Sequence, residues 1–350
     1  MSEPTAEEME EALEVMPRNL HEAFRETLAR IQRQPGGRKR LGMNALMWIS
    51  HAKRPLTVDE LSEALGIRSG QSALNPKNRP SQKMMVECCL GLVTLDEESG
   101  GIRLVHYAIQ EYFQDQQKEI FPSGESEIAE MCLTYLFFDS FADGCCDTGE
   151  GILARMEEHP FLGYAASHCS QNELVDTLAF NLLRSKPRRS LSIQIQQFLQ
   201  GLRKRYWEPD EVNSVTELHV ASMFGLQQAA RKVLDSKEVK VDAVTHIGTT
   251  ALIRAASLGH VELVRMLLGE GADPMKANWY GTSLHCAAEA GQCEAIKELL
   301  KTGMDIDTKD DFGRAALYCA AQEGHITARL SMCYWRTARI RIQKTERKRR

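Results

Sequence analysis

One short pattern recurs four times in the C-terminal half of the chain, at a nearly constant interval, and it limits the possible folds more than any other feature. The strings Thr216-Glu-Leu-His-Val-Ala221, Thr250-Ala-Leu-Ile-Arg-Ala255, Thr282-Ser-Leu-His-Cys-Ala287 and Ala315-Ala-Leu-Tyr-Cys-Ala320 align on one Leu, at 218, 252, 284 and 317, with steps of 34, 32 and 33 residues. A Gly follows each Leu at the same distance, at Gly225, Gly259, Gly291 and Gly324. Apolar clusters come next, Val264 with Leu267-Leu268 and Ile296 with Leu299-Leu300, each closed by Gly271 or Gly303. A unit this short cannot bury an apolar face alone, so copies must stack into a solenoid.

The pattern resembles the ankyrin repeat, with its TPLHxA signature and period of about 33 residues. The resemblance covers 213–330 and implies three to four repeats. Each shared residue has a physical reason. Thr caps the first helix through its exposed amides. The pairs Ala255-Ala256, Ala287-Ala288 and Ala320-Ala321 let neighbouring inner helices approach closely. Gly259 and its equivalents allow a left-handed residue between the helices, and the Leu pairs fill the space between helix layers. The array also departs from the signature. Pro is missing from every TPLH position, the third repeat is one residue short before Ser283, and the fourth breaks down after 324–330. The expectation is an incomplete last repeat that frays, exposes the apolar face of Leu317, Ala320 and Ala321, and self-associates.

Ankyrin arrays bind proteins through hairpin tips and concave inner helices. The tip residues are His246-Ile247, Trp279-Tyr280 and Asp311-Phe312. Trp and Tyr are favoured interface anchors. His246, Ile247, Trp279, Tyr280 and Phe312 are therefore the candidate protein-binding residues. The alternative is that their side chains pack on the adjacent finger.

The N-terminal half reads differently. Apolar spacing at Leu41, Ala45, Leu46, Trp48 and Ile49 predicts a helix that Pro55 ends. Thr57-Val-Asp-Glu60 is a capping box leading into Leu61-Ser-Glu-Ala-Leu65 and a stop at Gly66. A polar loop over 68–80 precedes a third helix over 81–90. Two β-prone runs, 92–95 and 102–105, then flank a turn and predict a hairpin. Three helices and a hairpin make a winged helix, here over 40–118. DNA binding would need a basic recognition helix. The third helix instead offers Lys83 against Glu87 among apolar residues, and the wing carries Asp96, Glu97 and Glu98, so phosphate repulsion argues against nucleic acid.

Three further strings are more specific: Trp48-Ile-Ser-His-Ala-Lys-Arg-Pro-Leu-Thr-Val-Asp-Glu-Leu61, Cys88-Cys-Leu-Gly-Leu-Val-Thr-Leu-Asp96 and Arg103-Leu-Val-His-Tyr-Ala-Ile-Gln-Glu-Tyr-Phe113. Together they resemble the fungal NACHT–ankyrin proteins, relatives of the NOD-like receptors, whose module is named for the winged helix of GPI inositol-deacylase-like proteins. The resemblance implies a helical remnant of the NACHT region over 1–36 and a helical connector over 125–208. It also implies a nucleotide-binding core upstream of Met1, so that this chain is a truncated member, and no NTPase or deacylase activity carries over. His106, heading His106-Tyr-Ala-Ile-Gln-Glu-Tyr-Phe113, matches the family position whose imidazole touches a nucleotide phosphate. Such a role here needs a separate NACHT chain; the alternative is a capping or packing His at a strand–helix junction.

Composition narrows the rest. The chain of 350 residues has a net charge of −5, but 331–350 carry eight Lys or Arg against Glu346 alone, leaving 1–330 at −12. The basic tail reads either as a nuclear-localisation or polyanion-binding segment or as incidental sequence after the repeat breaks. The N-terminus lacks the basic and apolar regions of a signal peptide, and no run of about 18 apolar residues is present. Ten dilute cysteines without a CxxC pair point to reduced thiols, with neither disulfide scaffold nor zinc site. P-loop, nucleophile-elbow and HExxH patterns are all missing. The expectation is a mostly α, non-enzymatic interaction scaffold without catalytic residues, metal or cofactor. It is cytoplasmic, with a nuclear location through the tail as the variant, and takes protein partners but no membrane. The alternative is a regulatory subunit that completes a nucleotide-dependent NACHT switch in trans. Linkers are expected near 35–37, 122–124 and 209–212.

Overall fold

Pro35, with φ −55°, fixes the entry of the first long helix of the winged helix and cannot cap it by a side chain. The computed structural model describes residues 20–96, 100–168, 176–199, 214–325 and 327. Helix α1 (Leu20–Gln32) packs on α2 (Gly36–His51), so the glycines expected in a linker are instead the first residues of α2. Close packing continues at Gly42, where a Cβ would come within 2.5 Å of the Cys88 carbonyl oxygen.

Strand β1 (Leu56–Thr57) leads into α3 (Val58–Gly66), whose capping box is formed as its sequence dictates. The Glu60 N–H donates to Thr57 Oγ1 at 3.2 Å, and the Thr57 N–H donates to Glu60 Oε2 at 2.9 Å. Helix α4 (Gln82–Cys88) is capped by Ser81, and β2 (Val93–Asp96) pairs antiparallel with β3 (Gly101–Leu104), Val93 opposite Leu104. β1 joins the other edge of β3, giving the order β1-β3-β2. The hairpin is therefore a three-stranded sheet; a two-residue strand carries no periodicity to announce it. Helix α5 (Tyr107–Ile120) completes this unit.

A helical run follows: α6 (Gly124–Leu136), α7 (Gly149–Glu158), α8 (Leu162–His168), α9 (Asp176–Arg184) and α10 (Lys186–Leu199). It is anchored to the winged helix by aromatic rings. Trp48 meets Phe161 and Tyr164 edge-on, and Tyr135 packs against Phe138, Phe141 and Phe161. Tyr135, Phe161 and Tyr164 are fully buried. Each such ring removes on the order of 200 Å² from water, roughly 5 kcal/mol before ordering entropy.

The repeats begin with α11 (Glu217–Phe224) and α12 (Gln227–Ser236), followed by α13 (Ala251–Ser257) and α14 (Val261–Gly269). Strands β4 (Ala277–Asn278) and β5 (Gly281–Thr282) precede α15 (Ser283–Glu289) and α16 (Cys293–Lys301), and α17 (Ala316–Gln322) is the first helix of the fourth repeat. Inner helices α11, α13, α15 and α17 pack in sequence, with α12, α14 and α16 outside them. Ala255, Ala256, Ala287 and Ala288 are fully buried at these contacts. Gly259 has φ +74°, and a Cβ there would lie 2.2 Å from Gln292 Oε1 of the next repeat, so that this flexible side chain would have to swing aside; the left-handed backbone itself favours Gly. Helix α10 packs on both α8 and α11, and α9 on α11 and α12, so the stack continues from the helical run into the repeats. At the far end Ala321 is exposed and Leu317 half-buried, whereas Ala320 is fully buried. The apolar face expected to be bare is thus narrower than the sequence implied, because Ala320 lies in the core. The basic tail and the 209–212 linker lie outside the described residues.

Candidate protein-binding groove

Two buried histidines hold the fingers in place. The Thr216 N–H donates to His219 Nδ1 at 3.1 Å, which makes Nδ1 the acceptor and leaves Nε2–H to donate to the Thr249 carbonyl at 2.9 Å. His285 repeats the arrangement, with the Thr282 N–H at 3.3 Å on Nδ1 and the Thr308 and Arg314 carbonyls at 3.1 Å from Nε2. Each imidazole thus ties the start of one inner helix to the following finger. The acceptor role of His219 Nδ1 needs the neutral ring, and burial pushes the His219 pKa down to about 4. Thr250, followed by Ile253 where the others have His, caps directly by accepting the Ile253 N–H at 3.2 Å.

The fingers carry the expected tip residues. Tyr280 N–H donates to Asn278 Oδ1 at 2.9 Å, and Asn278 Nδ2 donates to Thr249 Oγ1 at 2.9 Å, linking adjacent fingers. Trp279 is 55% exposed, Tyr280 47% and Phe312 70%. His246 is exposed and Ile247 half-buried. The Phe312 ring lies 4.9 Å from the Arg314 guanidinium carbon. Burial opposes ionisation of Asp310, but the Arg314 backbone and side chain and the Phe312 N–H hold its carboxyl below the usual range.

Beside the fingers runs a groove of about 340 Å³. Ile247 and Tyr280 line it from the fingers, Met223, Ile253 and Arg254 from the inner helices, and Cys286 and Glu289 from α15. Another wall is formed by Ile193, Gln196 and Gln197 of α10. The structure therefore brings Ile247 and Tyr280 together on one groove and leaves Trp279, His246 and Phe312 off its lining. The α10 wall is not anticipated by the repeats; the i, i+3, i+4 spacing of its three residues is the signal that marks one helix face. The Cys286 thiol is pushed up to about 12 by burial and the nearby Glu289 charge, so it is a packed thiol and not a thiolate at neutral pH.

His106 lies elsewhere. It is exposed at the β3–α5 junction, and its Nδ1 accepts the Ala108 N–H at 3.0 Å in the first turn of α5. It borders an apolar groove of about 350 Å³ with Phe24, Leu92 and Ile109. Sequence reading also missed Glu63, whose side chain is 2% exposed and accepts from the Tyr135 hydroxyl at 2.5 Å and the Phe161 N–H at 3.2 Å. Arg79 Nη1 completes its shell at 3.4 Å. Among the described residues, no three His, Cys, Asp or Glu gather as metal ligands, and no helix is long and apolar enough to cross a membrane.

Comparison with known proteins fits this architecture. Residues 32–129 match the model of the GPI inositol-deacylase winged helix domain. Residues 162–278 and 284–335 match models of ankyrin repeats. The first ankyrin match begins at α8, inside the segment that the sequence alone assigned to a connector. Over 265 residues the chain is 26% identical to the azaphilone pigments biosynthesis cluster protein L of Monascus ruber, covering 65% of this chain and 54% of that protein. It is 39% identical over 99 residues to the inactive serine/threonine-protein kinase TEX14 of Mus musculus, covering 28% and 7% of the two chains. It is 31% identical over 142 residues to the ankyrin repeat and SOCS box protein 3 of Bos taurus, covering 30% and 27%. The chain thus spans about half of the first relative and a minor part of the other two. It carries a winged helix of the GPI inositol-deacylase type followed by ankyrin repeats, which are protein-interaction modules.

Proposed function

We propose that this chain is a non-enzymatic scaffold of the fungal NACHT–ankyrin signalling class, which grips a protein partner in the groove between the fingers, the inner helices and α10. The observation that carries this reading is the meeting of half-exposed Tyr280 and apolar Ile247, Ile253 and Met223 in one open groove with hydrogen-bonding groups around them. An aromatic anchor over an apolar floor with a polar rim is the usual anatomy of a protein interface. Affinity capture from the native cell with wild-type chain and with an Ile247→Asp, Tyr280→Ala variant tests it. A partner held by the wild type and by a Lys237→Ala control, but lost by the groove variant, is the expected result. An identical set of captured proteins for all three would overturn the reading.

A second reading rests on His106. Its imidazole is exposed beside a groove on the winged helix, with one nitrogen engaged in capping and the ring edge outside the core. In that reading the chain completes a nucleotide-dependent switch with a separate NACHT chain. It requires ADP affinity of the two-chain mixture to fall with His106→Ala; affinity that is unchanged sets it aside.

A further inference from the structure

The winged helix has a second cleft, of about 270 Å³, that neither reading above uses. Its lining includes four cationic side chains, Arg40, Arg68, Lys77 and Arg79, and the amides Asn44 and Asn78, and contains no Asp or Glu. In a chain whose acids outnumber its bases by 48 to 43, an acid-free cleft is a specific departure. Arg79 is paired with Glu63 behind the cleft, but the other three like charges repel one another, and the repulsion is relieved when an anion sits among them.

The local fold fixes this arrangement. Gly37, Arg40, Leu41 and Asn44 share one face of α2 at i, i+3, i+4 and i+7. Across the cleft, a single 3₁₀ turn, Pro76–Asn78, presents Lys77 and Asn78, its start held by Asn75 Oδ1 accepting the Lys77 N–H at 3.0 Å. Arg68 is anchored through one amino group, Nη1, to the carbonyls of Leu65 at 2.9 Å and Ile67 at 2.8 Å. Arg79 is shared with buried Glu63 behind it. Among the described residues, Arg79 is the one cation of the four that forms an ion pair, and the side-chain amides of Asn44 and Asn78 line the same cleft. Guanidinium forks, an ammonium and amide donors around one small volume are the donor set for a compact oxyanion of several charges.

We propose that this cleft binds a small, multiply charged phosphate, either free or carried as the diphosphate end of a metabolite. The volume suits a di- or triphosphate group, and guanidinium, ammonium and amide donors are of the kind that bind phosphate oxygens. The site shares no lining residue with the ankyrin groove or with the groove beside His106. It stands whether or not either reading of function holds.

The test uses the full chain at constant ionic strength, because salt screens such contacts. The probes are inorganic tripolyphosphate and ADP, followed by titration calorimetry and by the thermal midpoint. The variant is Arg40→Gln, Lys77→Gln, both exposed; Arg79 is left alone because it also serves Glu63. Tripolyphosphate is expected to bind the wild type and raise its midpoint, with affinity falling about tenfold for each cation removed. A charge-keeping Arg40→Lys, Lys77→Arg variant should retain most of it. Binding of tripolyphosphate alone assigns the site to free phosphate, and binding of both probes assigns it to a diphosphate whatever its carrier. No midpoint shift with either probe, or the same affinity in the neutral variant, would overturn the proposal. So would a DNA duplex that binds while tripolyphosphate does not.

Discussion

The hydroxyl of Tyr135 donates to the carboxylate of Glu63 at 2.5 Å, across a sequence separation of 72 residues. Glu63 belongs to the capped helix of the winged helix, and Tyr135 to the helical run that leads into the repeats. Burial and the Glu63 charge both push the Tyr135 hydroxyl pKa up, so it stays a donor at any ordinary pH. With the Phe161 N–H and Arg79 on the same carboxylate, this contact fixes the winged helix against the stack.

Removing one partner should therefore weaken the whole chain. Tyr135→Phe leaves Glu63 with one donor fewer in a dry site and should cost about 1–3 kcal/mol. Glu63→Ala strands both the Tyr135 hydroxyl and Arg79 and should cost about 3–5 kcal/mol. Urea denaturation of the two single variants and the double variant measures both values. A coupling near zero would show that the hydroxyl and carboxylate act independently.

Gly259 offers a cleaner separation of causes. Gly259→Ala meets both a left-handed backbone and the Gln292 side chain 2.2 Å from its new Cβ. The expected loss is about 2–3 kcal/mol. Adding Gln292→Ala removes the clash but not the backbone strain, so about 1–2 kcal/mol of loss should remain. Full recovery in the double variant would mean that the backbone conformation costs nothing there.

Acid should loosen the repeats through His219. Its folded pKa is depressed to about 4 from 6.5, so the unfolded chain takes up the proton first. The contribution is fully present above pH 6.5 and is lost as pH falls toward about 4. The pKa difference corresponds to on the order of 3 kcal/mol. His51, His159, His168 and His260 are all lowered by burial and act in the same direction. Thermal midpoints at pH 7.5 and 4.5 should differ less in His219→Gln than in wild type; equal differences would remove His219 as a source.

The repeats were legible because their signals are local and in phase. Gly225, Gly259, Gly291 and Gly324 all adopt positive φ at the turn where their spacing placed them. The Thr57–Glu60 capping box and the 92–105 hairpin were legible for the same reason. The third strand was not, since Leu56–Thr57 is too short to show alternation. Gly36 and Gly37 suggested a linker by composition, yet tertiary packing of α1 on α2 draws them into a helix. Of the groove, Ile247 and Tyr280 could be read from finger spacing. The α10 wall and the Glu63 contact depend on pairs far apart in sequence, which no local pattern encodes.

A protein partner seated in the groove between the fingers, the inner helices and α10 would cover backbone from all three. Amide hydrogen exchange of the full chain, with and without a captured partner, reads that cover residue by residue. Binding in the groove should slow exchange over 191–199, 246–254 and 279–290 and leave the outer helices α12, α14 and α16 unchanged. Protection confined to those outer helices or to the winged helix would place the partner elsewhere and rule out the groove.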